Sequence, residues 1–309
     1  MSDGISYAPT SWNPLAMKCD HVSPGCDNCW HLRMASRLEM NPAIPALCRN
    51  AYSGGPPVLR EHILQQPLHW RKPRRVAVQF MGDWMHPDVP AGYIDSMLEI
   101  MAACPQGLFL TLTKRPELLE EKLYAVTPEC GCRELGSGDY LPNVWIGVTI
   151  EDQERADERM PHLIRLAKVG WRTWVSLEPM LSAVDMAPWI GGVDTDGHCA
   201  RCGCETAEYD GDYATHECPP GFGKAMKPWV VVGGETGPGA RPMHPAWARV
   251  ARDQCAAAGV PFYFKQWGDV MHTDNPDMPT ETWVQVDRAH NIPNGGGGWY
   301  RVGHKLAGC

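Results

Sequence analysis

The sequence predicts an α/β fold on a parallel sheet, a partial (β/α) TIM-like barrel of about six or seven strands with cysteine-containing loop insertions. Three observations point to it. From residue 76 onward, short β-branched and aromatic runs alternate with helical patterns, and parallel neighbours need crossover connections of that kind. The runs are near-continuously apolar, as strands covered on both faces are. Their carboxyl ends carry charges or paired glycines, at the rim where barrels and open α/β sheets gather functional groups.

Taken in order, one strand ahead of the first cysteines is weakly signalled. Residues 76–80 form a strand ending at Met81-Gly82-Asp83. Pro90 then opens a helix with Ile94, Met97, Leu98 and Met101 on one face. A strand over 108–112 ends in Thr113-Lys114-Arg115, and Pro116 opens a short helix. Residues 144–150 run into Glu151 and Asp152, acids suited to a helix N-terminus. Pro161 is expected to restart that helix and Gly170 to close it. Strands over 173–177 and 229–232 end in Glu178-Pro179 and Gly233-Gly234-Glu235. The next helix, about 245–258, places Trp247, Val250, Ala251 and Cys255 on one stripe with Gly259 as its stop. The run 262–264 leads into Lys265-Gln266. Stretches at about 124–143 and 182–228 break the alternation and read as loop insertions. The barrel would thus cover 1–285, with 286–309 as a C-terminal extension.

Composition narrows the class. Of 309 residues, 28 are Lys or Arg and 36 are Asp or Glu, a formal charge of −8. That argues against a protein whose main work is coating a phosphate backbone, since clustered cations carry such binding. One local groove is not excluded. Arg71-Lys72-Pro73-Arg74-Arg75, beside Trp70, is the one basic run. A solvated face is its ordinary reading; lining the barrel mouth with Lys114 and Arg115, it would seat a nucleic-acid phosphate. Hydrophobic residues are 44% of the chain, enough to exclude disorder. No apolar run reaches the roughly 18 residues of a spanning helix, and Met1-Ser2-Asp3-Gly4 lacks signal-peptide features. A soluble cytoplasmic protein with no membrane partner is expected. Among the 13 tryptophans, Trp12, Trp84 and Trp267 lie near strand ends, where a ring can stack on a base or on adenine.

Thirteen cysteines, clustered, read in a reducing compartment as metal ligands first. Cys48, Cys104, Cys255 and Cys309 stand alone and read as small buried hydrophobes or idle thiols. Cys19, Cys26 and Cys29 form a C-x6-C-x2-C loop. The short gap lets Cys26 and Cys29 face one metal from a single turn, and Pro24-Gly25 bends the chain back toward Cys19. Three thiolates suit either a zinc completed by His21 or water, or a [4Fe–4S] cluster whose fourth iron takes a non-protein ligand. A second group, Cys199, Cys202, Cys204, His216 and Cys218, has the ligand types of a zinc knuckle, with His198 competing and Cys130 and Cys132 available from the other insertion.

A cysteine loop at the head of a βα barrel with polar strand ends resembles the radical S-adenosylmethionine superfamily. More closely, Trp12-Asn13-Pro14, the cysteine loop, Leu112–Pro116, Ser176–Pro179, Gly233–Met243 and Phe264–Gly268 are similar to a family of phage- and prophage-encoded proteins of unassigned function. The resemblance spans most of residues 8–269. It implies a [4Fe–4S] cluster on Cys19, Cys26 and Cys29, whose open iron chelates S-adenosylmethionine. An external electron donor would drive cleavage to a 5′-deoxyadenosyl radical, which takes hydrogen from substrate. Asp83 stands where the superfamily has a strand-end acid facing the methionine amino group. Met81, Gly82, Thr149, Glu151, Gly233 and Gly234 are the other expected cofactor contacts. Glu178, Glu235, Lys114 and Lys265 are the expected catalytic groups. The substrate expected is a nucleotide or a hypermodified thymine of phage DNA, with rearrangement as one outcome.

Two other classes fit the same residues. One is a zinc-dependent hydrolase on the barrel, with His21 beside the three cysteines. The other is an inert nucleic-acid adaptor whose metals are structural.

Overall fold

The computed structural model describes residues 5–124, 140–168, 170–190 and 227–272, with the backbone of short strands at 283–287 and 292–293. In chain order the elements are β1 (Thr10–Trp12), β2 (Leu15–Ala16), α1 (Trp30–Glu39), α2 (Ala46–Ser53), β3 (Val58–Leu59), α3 (Glu61–Leu64), β4 (Arg75–Val78) and α4 (Ala91–Ala102). Next come β5 (Leu108–Thr113), α5 (Glu117–Tyr124), β6 (Val144–Thr149), α6 (Gln153–Lys168), β7 (Arg172–Leu177) and α7 (Ala187–Ile190). The chain continues through β8 (Trp229–Gly233), α8 (Pro245–Ala258), β9 (Phe262–Gln266), β10 (Val270–His272), β11 (Trp283–Asp287) and β12 (Ile292–Pro293).

The main sheet has seven strands in the order β1-β4-β5-β6-β7-β8-β9. Each new strand is added on the same side, the winding of a partial (β/α) barrel rather than the reversing order of a doubly wound sheet. The α/β class read from the alternation is the one observed. The weakly signalled strand is β1, parallel to β4 with Thr10 opposite Val76. Strands β10, β11 and β12 form a small antiparallel sheet, and β2 pairs antiparallel with β3. Among the described residues, no helix is long and apolar enough to cross a membrane.

The chain divides into two compact units. The first comprises the described parts of Met1–Val22, Cys29–Val148 and Val169–Thr173. Its core gathers Trp12, Val76, Val78 and Phe109 with Ile94, Met97, Leu98 and Met101, the predicted face of α4. Trp12 meets Phe109 edge-on at 5.9 Å and donates its indole N–H to the Ile63 carbonyl at 2.8 Å. The second unit comprises the described parts of Ser23–Asn28, Thr149–Lys168 and Trp174–Cys309. Its centre is the β7–β8–β9 ladder, with Val230, Val231 and Val232 fully buried.

Two helices depart from expectation. Pro161 does not restart α6 but lies inside it. A proline there removes one bond to the carbonyl four residues back, and Asp157, which owns that carbonyl, is exposed. Helix α8 buries Ala251 and Cys255 of the expected stripe together with Ala248, but leaves Trp247 half-buried and Val250 43% exposed. Small side chains at this spacing let the helix lie close to the sheet. Gly259 caps it in the left-handed region (φ 60°), as read. Cys48, Cys104 and Cys255 are buried, and burial pushes the Cys255 thiol up to about 12.

His31 on α1 is buried, and among the described residues no partner stands within hydrogen-bond distance and angle of either ring nitrogen. Burial pushes its pKa down to about 4, with the Met17 backbone opposing weakly. The unfolded chain then binds the extra proton between about pH 6.5 and 4, so stability falls as pH drops through that window, by up to roughly 3 kcal/mol. His31→Leu should flatten the acid limb of the melting-temperature profile between those values. An unchanged profile would show that the imidazole carries no such linkage.

Candidate functional site

In the first unit, β4 and β5 deliver their carboxyl ends to one cluster. Asp83, 5% exposed, accepts from the backbone N–H of Met85 and Lys114, both at 3.0 Å, and from Arg115 Nη1 at 3.1 Å. The same Nη1 donates to Cys19 Sγ at 3.7 Å. Arg115 is held above the ordinary guanidinium range: burial opposes the charge, but Asp83 and Cys19 outweigh it. The backbone N–H of Asp88 donates to His86 Nδ1 at 3.2 Å. Nε2 is therefore the donor in the 2.8 Å bond to Asp20 Oδ2, an oxygen also 3.8 Å from Arg115 Nη2. Lys122, buried on α5, donates to the carbonyls of His86, Pro87 and Val89 at 2.5, 3.2 and 2.8 Å. Burial lowers its pKa, with Glu121, Asp83 and Asp88 opposing.

The chain reaches this cluster through a strained link. Gln79, fully buried just past β4, sits at φ 52°, unfavourable for a side chain with a Cβ. Its amide holds it there: Oε1 accepts from Leu15 N at 2.9 Å, and Nε2 donates to the Leu15 and Met81 carbonyls. Met81 N donates in turn to Asn13 Oδ1 at 3.0 Å.

The second unit holds the part of the cysteine loop that carries Cys26. Pro24–Cys26 is a single 3-10 turn, closed by the Cys26 N–H bonding to the Ser23 carbonyl at 2.8 Å, and Cys26 is 6% exposed. Ser23 Oγ donates to Glu151 Oε1 at 2.7 Å. Glu151 and Arg159, both essentially inaccessible, pair at 3.3 Å, and Arg159 also donates to the Thr149 carbonyl. A Cβ on Gly25 would lie 2.5 Å from Glu151 Cγ, so only glycine lets the turn sit on this carboxylate.

Glu235, past β8, clamps the other side of the turn. Arg241 reaches it as a fork, Nη2 to Oε1 at 2.7 Å and Nε to Oε2 at 2.9 Å, with its own backbone N–H adding a third bond at 2.8 Å. Asn28 Nδ2 donates to Oε2 at 3.1 Å. Arg241 also binds Asp27 Oδ2 at 2.9 Å and the Pro24 carbonyl at 2.7 Å. Burial would raise the Glu235 pKa, but these bonds from Arg241 and Asn28 hold it below the ordinary range.

Other expected residues also have partners inside the protein. Glu178 pairs with Lys265 at 2.7 Å and accepts from Ser176 Oγ at 3.1 Å. Gly233 leaves room for the Glu178 carboxylate, and a Cβ on Gly234 would lie 1.8 Å from the Trp267 carbonyl. Gly82, at φ 115°, lies against Met17. Trp12, Trp84 and Trp267 are buried, so they serve as core and not as stacking platforms. Cys29 is the N-cap of α1, where orphan N–H groups favour negative charge. Among the described residues, no three or more His, Cys, Asp or Glu side chains are gathered to hold a metal ion. Any fit of Cys19, Cys26 and Cys29 to an iron–sulfur group rests on donor chemistry: three thiols, one receiving a guanidinium N–H and one at a helix N-cap. Cys130, Cys132, His198, Cys199, Cys202, Cys204, His216 and Cys218 lie outside the described residues.

Arg115, Arg159, Arg241, Asn28 and His86 carry most of this geometry, and none was singled out for such a role by sequence pattern. Arg241 had a signal, since it lies within the run Gly233–Met243 that carries the family resemblance.

Parallel strands with charged carboxyl ends and a cysteine loop anchored on them define an α/β protein of the partial-barrel type with a cysteine-bearing rim. The chain belongs to the family described as "Protein of unknown function (DUF5131)", which matches residues 2–308. Neither the curated proteins nor the solved structures give a match.

The Arg241 clamp predicts a thiol-reactivity pattern in metal-free protein. Cys19 and Cys29, partly exposed, should alkylate first, with Cys26 slow and Cys255 slowest. Arg241→Ala should speed alkylation of Cys26 at least about tenfold through local opening, while Cys255 stays unchanged. Arg241→Lys, which loses the fork, should recover only part of the protection. Equal Cys26 rates in all three proteins would show that the clamp does not hold the turn.

Proposed function

We propose that this chain is a radical S-adenosylmethionine enzyme acting on a nucleotide or a nucleic-acid base, a modified thymine of phage DNA in the narrowest form, with rearrangement as the outcome. The observation that carries the proposal is the investment of strand-end carboxylates in the cysteine loop. Asp83 orients Arg115, which donates to Cys19. Glu151 and Glu235 bind the two flanks of the Cys26 turn, through Ser23 and through Arg241 with Asn28. An idle thiol needs no such support.

Cys19, Cys26 and Cys29 would hold the [4Fe–4S] group. When bound, it supplies the electron that cleaves the sulfonium of S-adenosylmethionine, drawn from an external donor. The chain's own groups do the rest. Arg115 offsets thiolate charge at Cys19. Asp83 has three of its roughly four acceptor positions filled and keeps capacity for one donor, such as a cofactor amino group. Lys265, held by Glu178, and Lys114, whose backbone is fixed by Asp83, are the cations for a substrate anion. A structural zinc on Cys199, Cys202, Cys204, His216 and Cys218 completes the proposal.

Anaerobic reconstitution followed by iron, sulfide and zinc analysis tests it. About four irons per chain are expected, lost in Cys26→Ala, with about one zinc retained in that variant. Asp83→Asn should weaken cofactor binding at least about tenfold, and Asp83→Ala, which also frees the Arg115 guanidinium from its place beside Cys19, should lower the iron retained as well. A colourless protein holding only zinc at the first cysteines would remove the radical reading and favour the hydrolase.

A further inference from the structure

The basic run Arg71–Arg75 lies far from the residues the sequence reading grouped it with. Arg75 opens β4 and pairs in register with Leu108, the first residue of β5. Lys114 and Arg115 follow the other end of β5. Lys114 is six steps along the chain from Leu108, about 20 Å at the rise of a strand. The run therefore sits at the amino-terminal ends of the strands and does not line the carboxyl-end rim.

There residues 72–75 line an open cleft of about 490 Å³ with Thr10, Gln106 and Leu108 and no carboxylate, and Arg71 adjoins it in the chain. Residues 71–75 are all exposed. Among the described residues, no acid pairs with Arg71, Lys72, Arg74 or Arg75. In a chain of formal charge −8, four unpaired cations within five residues are a marked local excess. Arg74 is also held in place. Its guanidinium stands 5.0 Å from the Trp70 ring centroid, and Trp70 stacks on Phe109 at 6.4 Å and 18°. Gln106 donates to the Trp70 carbonyl, fixing the same corner.

We infer that this cleft is a docking site for a nucleic-acid phosphodiester backbone, separate from the carboxyl-end site. An enclosed pocket with converging backbone N–H groups would suit a single phosphate. An open cleft with successive long-armed cations suits a repeating polyanion, which gains by releasing condensed counterions. The inference does not rest on the metal reading. If both hold, the substrate of the distant rim is polymeric, since a free nucleotide cannot occupy both ends of the strands.

The test is fluorescence anisotropy of labelled 20-nucleotide single-stranded DNA, duplex DNA and RNA across a salt series, with the full-length protein. Wild type should bind at least one of them with a log–log salt slope of about −3. The triple variant Arg71→Ala, Lys72→Ala, Arg75→Ala should bind at least about tenfold more weakly at about 100 mM salt, with the slope flattened by about 2. Its melting temperature should stay within about 2 °C, because these side chains are exposed. The three probes decide which nucleic acid is preferred. Affinity unchanged in the variant, wild-type binding weaker than about 100 μM, or equal competition by poly-glutamate would each overturn the inference. Iron content is measured on the same samples, so loss of nucleic-acid binding and failure of the cluster to form are read separately.

Discussion

A carboxylate buried at the end of a β-strand is costly unless a cation meets it, and much of this protein's local order follows from that requirement. Asp83 is met by Arg115, Glu151 by Arg159, Glu178 by Lys265 and Glu235 by Arg241, at 3.1, 3.3, 2.7 and 2.7 Å. Such pairs contribute little net stability against an apolar replacement of the same shape. Their effect is on position. Breaking one strands its partner in a poorly solvated place, so each pair fixes whatever else its members touch. For three of the four that includes the cysteine loop: Cys19 through Arg115, Ser23 through Glu151, and the Pro24 carbonyl and Asp27 through Arg241.

This arrangement separates the carboxylates that hold the turn from those left open to a ligand. Glu235 accepts four hydrogen bonds and has a depressed pKa, which makes it a poor proton donor near neutrality and a firm anchor. Glu151 is inaccessible and bonded on both oxygens. The strand-end acids thus divide. Glu151 and Glu235 are positioning residues for the Cys26 turn, whereas Glu178, Lys265 and Lys114 are less deeply buried and better placed to meet a ligand.

How much of this was legible in the sequence follows from what periodicity encodes. The strands β4 to β9, with ends within two residues of those expected, and the buried face of α4 are legible because apolar spacing reports them directly. Half of the stripe expected on α8, Ala251 and Cys255, is buried; Trp247 and Val250 are not, because large apolar residues dominate a pattern while close helix–sheet contact selects small ones such as Ala248. Pro161 was read as a break because its local cost is real; an exposed turn of helix tolerates it. The strand-end carboxylates were visible as residues, but their partners were not. Arg115 is 32 residues from Asp83, and Lys265 comes from a different strand than Glu178. Arg159 was hidden in plain view on α6, on the same buried face as Ala156, Met160 and Leu163. An arginine among apolar neighbours is a signal that some acid lies opposite, though not which one.

The cations fall into two populations with different physics. Arg115 and Arg159 are almost wholly buried against carboxylates, and Arg241 is about two-thirds buried in its fork. Salt barely screens interactions that water does not penetrate. Arg71, Lys72 and Arg75 are exposed and without acidic partners among the described residues, so the ionic atmosphere reaches them fully. Ionic strength therefore acts on one population and spares the other. Whatever the exposed cations attract must weaken as salt rises, while the cysteine turn held by Arg241 stays in place. Among the described residues, an acidic protein that pairs Arg115, Arg159 and Arg241 with carboxylates and leaves Arg71, Lys72 and Arg75 without an acid has divided a limited cation supply between fixing its own loops and presenting charge to solvent.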